Sequence, residues 1–393
     1  MTAPICVDLF CGCGGLSTGL LDAGIDVRLG IDNDAPSLKT FDLNHRSRGS
    51  NSLLADIRDL KGAQIADLVQ QPIQLLVGGP PCQPFSVAGK RRALEDHRGD
   101  LIFEFVRVLS EINPEAYIFE NVPHLASVAK GEIYGDLIAA FEEVGYTASS
   151  QVLLAADYGV GQMRKRLFIV GTRRPGTIPM PPNSTHTSRV RQALSSVGSN
   201  DRIPYVTSKD VLDDLPDVMS PEAEQVANHE PTFHSEAMIA AFAKQKPGTR
   251  EPRSRHDRLH PDRPGYTLRA GSGNFSPLRP VHYKYDRVLS VRECARLQSF
   301  SDNFHWPDEQ ARLQQYRQVG NAVPPLLARV VGAHVAAFMD WTLDEQRFTV
   351  ERPPEYTRLS MSERLARRNK YMRGGASGSS PVELSQSAKR NSG

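Results

Sequence analysis

The sequence predicts an α/β fold, in which helices cover a parallel β-sheet. Two observations lead to this prediction. Between Ile5 and Gly171, short apolar runs alternate with amphipathic stretches, and within those stretches the apolar side chains recur at helical spacing. With 393 residues, 39% of them hydrophobic, the chain can hold one large or two ordinary domains around a real core.

The strand candidates are six apolar runs, namely Ile5–Phe10, Val27–Ile31, Ser52–Ala55, Ile73–Val77, Ala116–Phe119 and Arg166–Gly171. Apolar residues at helical spacing predict two helices between them, one from Leu101 and one from Ile133, and Gly145 is placed to end the second. The alternation of short runs and helices is typical of strand–helix–strand units.

This alternation stops between Arg173 and about Arg263, where Pro, Ser and other polar residues dominate. Because a structureless loop of that length is improbable, we predict a second, irregular module inserted there. Order returns at Ser290, which forms a capping-box pattern with Glu293 at the start of a helix. A last helix is predicted to begin at the Pro324–Pro325 pair.

The net charge is only +2, from 47 basic and 45 acidic residues, so bulk charge does not indicate a nucleic-acid binder. The stretch from Arg250 to Arg269 nevertheless carries six arginines and two histidines against three acids, and the stretch from Arg352 to Arg373 is also basic. A local positive surface is what a phosphate backbone requires, and an ordinary solvated surface is the alternative.

The five cysteines are Cys6, Cys11, Cys13, Cys82 and Cys294. Their odd number and uneven placement favour reduced thiols over a disulfide framework, and the absence of metal-ligand spacing predicts no metal site. No run of 18 apolar residues and no signal-peptide pattern occurs, so we expect a cytoplasmic protein without a membrane segment.

The segment VDLFCGCGG is a strand that enters a glycine loop before a helix. Gly12, Gly14 and Gly15 let the backbone approach a ligand closely, at the strand-to-helix turn where α/β sheets bind nucleotides. Because the spacing is not G-x-G-x-x-G and no phosphate-binding lysine follows, a nucleoside ligand is favoured over a dinucleotide. Phe10 is placed either against a ligand cation or simply in the core.

Asp32 and Asp56 follow the second and third strands at equivalent positions. Each acid alone is typical of a helix cap or turn, but two acids at successive strand ends favour a nucleoside whose ribose hydroxyls donate to them.

Cys82 lies in the segment GGPPCQPFS, directly after the apolar strand IQLLV. A cysteine among prolines and glycines at the carboxyl end of a strand is poorly placed for core packing and well placed for a cleft, which indicates a reactive thiol. Cys6 and Cys294 fit buried, inert thiols better. Glu120 lies where another strand leaves the sheet, and Arg164 and Arg166 alternate toward one face before a further strand.

Together these segments resemble the DNA (cytosine-5) methyltransferase family in its bacterial modification-enzyme form. The resemblance covers nearly the whole of residues 5–173 and 264–335, in the family's order. Its motifs are DLFCGCGG, PPCQPFS, ENV, QMRKR, RPGYTLRAG and QVGNAVPP. It implies a Rossmann-like domain that uses S-adenosylmethionine, at residues 1–173, and a smaller target-recognition domain at 174–317. Residues 318–345 would return to the first domain, and residues 346–393 would form a basic, disordered tail.

The resemblance also implies a cofactor site and a catalytic site. The cofactor residues would be Phe10, Gly12, Gly14, Gly15, Leu16, Asp32, Asp56, Ile57, Pro81, Leu101, Asn321 and Val323. Asp32 departs from the glutamate common at its position, because its side chain is one methylene shorter. The catalytic residues would be Cys82, Glu120, Arg164 and Arg166.

Carbon 5 of cytosine is a poor nucleophile, so a thiolate must first add to carbon 6, and Cys82 is the cysteine suited to this step. Glu120 in its acid form would bind ring nitrogen N3, and Arg164 and Arg166 would stabilise charge. The target base must leave the duplex. We expect Arg250, Arg253, Arg255 and Arg258 to bind DNA.

We therefore expect double-stranded DNA as the partner and a companion restriction endonuclease that acts on the same site. The enzyme itself is expected to be a monomer. Three other functions remain to be separated from this one. They are a cytosine-5 methyltransferase acting on transfer RNA, a catalytically silent DNA-binding protein, and a cysteine hydrolase. The hydrolase would need a base paired with Cys82, and no histidine lies in a comparable strand-end motif.

Overall fold

The computed structural model describes residues 3–81, 101–188, 202–252, 254–270 and 279–344. These residues all fall within one unit, Met1–Tyr356. Cys82, Arg253 and the predicted tail at 346–393 lie outside the described residues.

In the described part of the chain, seven strands form one sheet in the order β3-β2-β1-β4-β5-β7-β6. The strands are β1 (Ile5–Leu9), β2 (Asp26–Asp32), β3 (Asn51–Leu54), β4 (Leu75–Gly78), β5 (Ala116–Asn121), β6 (Thr147–Leu154) and β7 (Lys165–Thr172). Each predicted strand is present within two residues at either end. The α/β fold class is thereby confirmed.

The sheet departs from the prediction at β6 and β7. The strand β6 was not predicted, because it lies at the sheet edge, and its sequence TASSQVLL is polar and largely solvent-accessible. The strand β7 runs antiparallel to both β5 and β6, whereas a parallel sheet was expected. The reason is length: a parallel crossover needs a dozen or more residues, and the connection from Leu154 to Lys165 is too short for one.

The helices of the described residues are α1 (Gly15–Asp22), α2 (Ala35–His45), α3 (Gly62–Val69), α4 (Leu101–Ile112), α5 (Glu132–Glu143), α6 (Ser208–Leu212), α7 (Glu236–Lys244), α8 (Val291–Leu297), α9 (Arg312–Asn321) and α10 (Pro325–Phe338). The predicted capping box at Ser290 is confirmed, since Ser290 Oγ accepts from the Glu293 amide and the Glu293 carboxylate accepts from the Ser290 amide. Gly145 follows α5 with a φ of 89°, as a helix-ending glycine requires.

Apolar cores lie on both faces of the sheet. On one face, side chains of β1 and β5 pack with α1 and α10, and on the other they pack with α4 and α5. A third core surrounds Trp306 and joins α6, α8 and α9. It includes Cys13 from the glycine loop, so the later part of the chain packs directly against the turn that follows β1.

The last helix, α10, packs tightly on α1. A Cβ atom at Gly19 would lie 2.1 Å from the carbonyl oxygen of Pro325, and one at Gly332 would lie 2.5 Å from the Leu20 side chain. The two helices therefore approach at a distance that only glycine permits at these positions. This contact returns the closing segment to the sheet and places Asn321 and Val323 beside the glycine loop.

Candidate active site

A cavity of about 680 Å³ opens at the carboxyl ends of β1, β2, β4 and β5. This volume is in the range of small-molecule sites, and the carboxyl edge is where α/β sheets bind ligands. Its wall includes many residues that the sequence singled out: Phe10, Gly12, Gly15, Leu16, Asp32, Asp56, Ile57, Pro81, Leu101, Glu120, Arg166, Asn321 and Val323. Gly14 and Arg164 do not line it.

The glycine loop has the backbone that its sequence predicts. Phe10 has a φ of 59°, a left-handed conformation that is uncommon for a bulky residue and that ends β1 abruptly. Gly12 has a φ of 55° and no heavy atom within 4 Å of where a Cβ would stand, so its backbone is open to the cavity. Gly14 instead faces inward, because its Cβ would lie 2.2 Å from the His45 ring. Its contribution is thus to the packing of the loop.

Asp32 anchors this loop. Oδ2 of Asp32 accepts from the Gly12 amide at 2.8 Å, and Oδ1 accepts from the Asp34 amide at 2.8 Å. Burial raises the pKa of Asp32, and these backbone donors oppose the rise. Each carboxylate oxygen retains acceptor capacity toward the cavity, as a ligand hydroxyl requires.

Asp56 and Ile57 form another part of the wall. The Asp56 carboxylate accepts from Arg58, with Arg58 Nε 2.9 Å from Oδ1, and these hydrogen bonds lower the pKa of Asp56 to about 2. Ile57 is buried at the start of a short helical turn capped by Asp56. The turn therefore presents an apolar side chain and backbone groups to the cavity.

Glu120 and Arg166 form an ion pair in the cavity wall. Arg166 Nε lies 2.8 Å from Glu120 Oε1, and the two side chains are only 11% and 10% exposed. They come from the adjacent antiparallel strands β5 and β7. Burial raises the pKa of Glu120, while the positive charges of Arg166 and Arg164 oppose the rise. The arrangement favours a carboxyl group that can hold a proton at a cavity wall.

Arg164 is fully buried and binds backbone rather than the cavity. Its guanidinium donates to the carbonyl oxygens of Leu268, Gly320 and Ala322, at distances of 2.8–3.1 Å. It therefore links the strand that carries Arg166 to two segments of the later chain. The expected alternation of Arg164 and Arg166 toward one site does not occur, because Arg164 precedes the first residue of β7 and turns into these carbonyls.

Asn121 belongs to the ENV motif, but the sequence assigned it no role. Its side chain connects two loops. Its amide nitrogen donates to the Pro80 carbonyl oxygen at 3.0 Å, and its oxygen accepts from the Val122 amide at 2.8 Å. Pro80 and Pro81 directly precede Cys82 in the sequence. Asn121 thus fixes the end of β4 relative to Glu120.

Asp8 is a cavity residue that the sequence analysis missed. It is fully buried in β1, its Oδ2 accepts from the Ser17 hydroxyl at 2.6 Å, and its Oδ1 is buried without a hydrogen-bond partner among the described residues. Burial raises the pKa of Asp8 to about 7. An acid inside an otherwise apolar strand was the signal that could have identified it.

The helix α9 adds further wall residues to which the sequence assigned no role, namely Gln314, Arg317 and Gln318, the last of which begins the motif QVGNAVPP. Gln314 Nε2 donates to Asp34 at 3.2 Å, and Gln318 accepts from the Thr40 hydroxyl at 2.8 Å. They were missed because these contacts join positions almost 300 residues apart in the chain.

The predicted DNA-binding arginines have different environments. Arg258 was expected to bind DNA, but it is buried. Its guanidinium donates to the Phe242 carbonyl and to Asp286, which leaves it inaccessible to DNA. Arg250 is half-exposed but pairs with Asp257 at 2.6 Å. Arg255 is exposed. The burial of Arg258 follows from its place in a two-residue strand paired with Pro280–Val281.

The remaining cysteines are buried. Burial raises the pKa of the Cys6, Cys11, Cys13 and Cys294 thiols, so these groups are poor nucleophiles. Within the described residues, no group of three or more His, Cys, Asp and Glu is arranged to hold a metal ion. The helices of that same part include none that is long and apolar enough to span a membrane.

Residues 5–337 match the family model described as C-5 cytosine-specific DNA methylase. The Type II methyltransferase M.XorII of Xanthomonas oryzae pv. oryzae is 33% identical over 365 residues, which cover 85% of each chain. The Type II methyltransferase M.NgoPII of Neisseria gonorrhoeae is 32% identical over 346 residues, which cover 84% of this chain and 94% of that one.

Solved structures show the same fold. A DNA modification methyltransferase encoded within an E. coli prophage gives a TM-score of 0.68 at 24% identity, covering 86% of this chain and 100% of the other. The S. pombe Dnmt2 methyltransferase gives a TM-score of 0.60 at 17% identity, covering 86% of this chain and 99% of the other.

Proposed function

The chain belongs to the C-5 cytosine-specific DNA methylase family, and from this premise we propose that it methylates carbon 5 of cytosine at one duplex sequence through a covalent Cys82 adduct. The observation that carries the proposal is the buried Glu120–Arg166 pair in the wall of the cavity that Pro81 also lines. Burial raises the pKa of Glu120, which suits this carboxyl group to donate a proton to a base bound in the cavity.

The cavity suits S-adenosylmethionine, which supplies an electrophilic methyl group when bound. This molecule carries an ammonium and a sulfonium, and the unpartnered Oδ1 of Asp8 is a buried acceptor suited to a cationic ligand. Asp32 offers acceptors to ribose hydroxyls, while Ile57 and Leu101 offer apolar contact to a base. Phe10, Leu16, Asn321 and Val323 complete the proposed site.

The chemistry assigned to the protein's own residues begins at Cys82. Its thiolate forms a bond to carbon 6 of cytosine. The π electrons of the ring move toward N3, and N3 takes a proton from Glu120. Carbon 5 thereby gains the nucleophilic character needed to take a methyl group from S-adenosylmethionine, which would be released as S-adenosylhomocysteine. A base then takes the carbon 5 proton, the electrons of that C–H bond form the carbon 5–carbon 6 double bond, and the Cys82 thiolate leaves. The proton at N3 returns to Glu120. Arg166 holds Glu120 in position throughout.

We assign Arg164 a positioning role in place of direct catalysis. Its three hydrogen bonds hold Leu268, Gly320 and Ala322 against the start of β7. Truncation of Arg164 would remove this donor from the buried carbonyl oxygens of Leu268 and Gly320, while the Ala322 carbonyl would keep its hydrogen bond from Gln298 Nε2. The segments RPGYTLRAG and QVGNAVPP would then lose their common anchor.

Residues 174–317 are proposed as the module that reads the target sequence, and residues 318–345 as the segment that completes the cofactor site. The target base must leave the helix stack to reach the cavity. The names of the relatives, Type II methyltransferases, support a role beside a restriction endonuclease of the same specificity. We also propose that the enzyme is cytoplasmic and monomeric. Light scattering in solution would test whether it is a monomer.

The proposed function is tested by expressing the chain in a host that lacks cytosine methylation and sequencing the bisulfite-treated DNA. One sequence context should resist conversion, and a Cys82→Ser chain expressed at equal level should protect none. Protection of transfer RNA with unprotected DNA would favour an RNA methyltransferase. Binding to DNA without protection of either nucleic acid would favour a silent DNA-binding protein.

A further inference from the structure

Two exposed apolar side chains lie on the segment that leads into the strand of Arg166 and on the segment bridged to it. Met163 is 41% exposed and Tyr266 is 39% exposed. Met163 precedes Arg166 by three residues and lies two residues before β7, whose first residues are at the end of the strand nearest the cavity. The two residues belong to neighbouring segments joined by the Gln162–Gly265 bridge.

The backbone that carries Met163 is held firmly. The Met163 amide donates to the Gly265 carbonyl at 2.8 Å, and the Met163 carbonyl accepts from the Thr267 hydroxyl at 2.7 Å. The side chains on either side, Gln162 and Arg164, are fully buried and both bind Leu268. Met163 is therefore an apolar side chain that points outward from a rigid support.

Tyr266 is fixed by its own hydroxyl. That group donates to the Gly248 carbonyl oxygen at 2.8 Å, which holds the ring across the turn that precedes Arg250. The hydrogen-bonding group of the side chain is thus satisfied within the protein. What the ring offers to solvent is its apolar surface.

Exposed cations lie on the same segments as this pair, namely Lys165, Arg263 and Arg269. Asp257, Arg263 and Arg250 all act electrostatically on Tyr266, and Asp257 is paired with Arg250. Two exposed apolar side chains on segments that also carry exposed cations match a nucleic-acid partner, because phosphates require the cations and bases offer apolar faces. A protein partner would need a larger apolar surface than two side chains supply.

We infer that the surface formed by Met163 and Tyr266 contacts the DNA beside the extruded cytosine, with Met163 entering the space that the base leaves. This inference rests on the proposed function. Removing a base from the stack exposes the faces of its neighbours, and an apolar side chain that covers them lowers the cost of extrusion. The assignment gives these two residues a part in opening the duplex, separate from reading its sequence.

The test compares two DNA duplexes that carry the target site found by bisulfite sequencing. In one the target cytosine is paired with guanine, and in the other the opposing nucleotide lacks a base, so that the cytosine is already easy to extrude. The dissociation constants of Met163→Ala and Tyr266→Ala should rise roughly tenfold for the paired duplex, the size of one lost stacking contact. For the unpaired duplex they should rise much less.

Tyr266→Phe is the matched control, because it keeps the ring and loses only the hydroxyl bond to Gly248. Its dissociation constants for both duplexes should stay closer to the wild type than those of Tyr266→Ala. If the alanine variants lose the same affinity for both duplexes, or lose affinity for neither, the inference is wrong. The proposed function would still stand in that case, provided that the wild-type enzyme methylates its site. A wild type that methylates no cytosine would overturn both. Unchanged S-adenosylmethionine affinity in each variant verifies that the cavity is intact.

Discussion

Asn121 donates a hydrogen bond from its side-chain amide to the carbonyl oxygen of Pro80, over 3.0 Å, and both groups are buried. The contact joins β5, which carries Glu120, to the residues that lead into Cys82. Together with the pairing of β4 and β5, which ends at Gly78 and Phe119, it fixes Glu120 relative to the segment that precedes Cys82.

Asn121→Ala should lower methyl transfer strongly while leaving S-adenosylmethionine affinity within about twofold of the wild type. The substitution leaves the Pro80 carbonyl buried without its donor, which also costs about 1–3 kcal/mol of stability. Single-turnover methylation and calorimetry measure the two effects. Asn51→Ala on the exposed edge strand is the matched control. A variant that methylates at the wild-type rate would contradict the positioning role of Asn121.

Glu120→Gln keeps the shape of the side chain and removes its ability to donate an acidic proton. The methyl-transfer rate should fall by a factor of about 10²–10⁴, the usual contribution of a general acid. Because burial raises the pKa of Glu120, its acid form persists above the ordinary range and is lost as the pH rises through that pKa. The single-turnover rate of the wild type should therefore decline at high pH as Glu120 ionises, and the rate of Glu120→Gln should not show this decline. Wild-type rates in the variant would remove Glu120 from the chemistry.

Asp8 makes the stability of the protein depend on pH. Burial raises its folded-state pKa from 3.8 to about 7, so its favourable contribution is complete below the lower value and is lost as the pH rises through the upper one. Asp8→Asn stays neutral, so its stability relative to the wild type should increase by about 1.4 kcal/mol per pH unit across that window. Urea unfolding at several pH values measures this difference.

A constant difference between Asp8→Asn and the wild type across that window would show that Asp8 titrates normally. The same variant tests the cofactor site. If ionised Asp8 binds a cationic group, wild-type affinity for S-adenosylmethionine should fall as the pH falls through about 7. Asp8→Asn should bind more weakly at high pH and lose this dependence.

Arg255 and Arg258 should respond oppositely to alanine substitution. Arg258→Ala removes the guanidinium donor from the buried Phe242 carbonyl oxygen and should destabilise the fold by about 1–3 kcal/mol. Arg255→Ala should leave the unfolding midpoint unchanged, weaken DNA binding and flatten its salt dependence, because an exposed arginine that contacts phosphate displaces counterions. Unfolding curves and binding titrations at several salt concentrations separate the two. If Arg255→Ala binds DNA as tightly as the wild type at every salt concentration, Arg255 does not contact the DNA.

Local patterns predicted the strands and helices that hold the cavity, because apolar period and capping residues depend on near neighbours. The sequence did not predict the polar edge strand β6 or the reversed direction of β7, which depends on the length of a connection. It also could not place Arg164, Arg258 or Gln318, since each is fixed by contacts with distant parts of the chain. Gly14 matched the cofactor motif by sequence, yet the His45 ring occupies the space on its side.

Covalent trapping tests the proposed role of Cys82 most directly. A duplex with 5-fluorocytosine at the target should become permanently attached, because fluorine cannot leave carbon 5 as a proton does. The complex should require S-adenosylmethionine and survive denaturing electrophoresis. Cys6→Ser, Cys11→Ser, Cys13→Ser and Cys294→Ser proteins that fold should still form it, and Cys82→Ser should not, because a serine hydroxyl is almost never ionised near neutral pH. An adduct with Cys82→Ser, or none with a wild type that methylates the unmodified site, would contradict the mechanism.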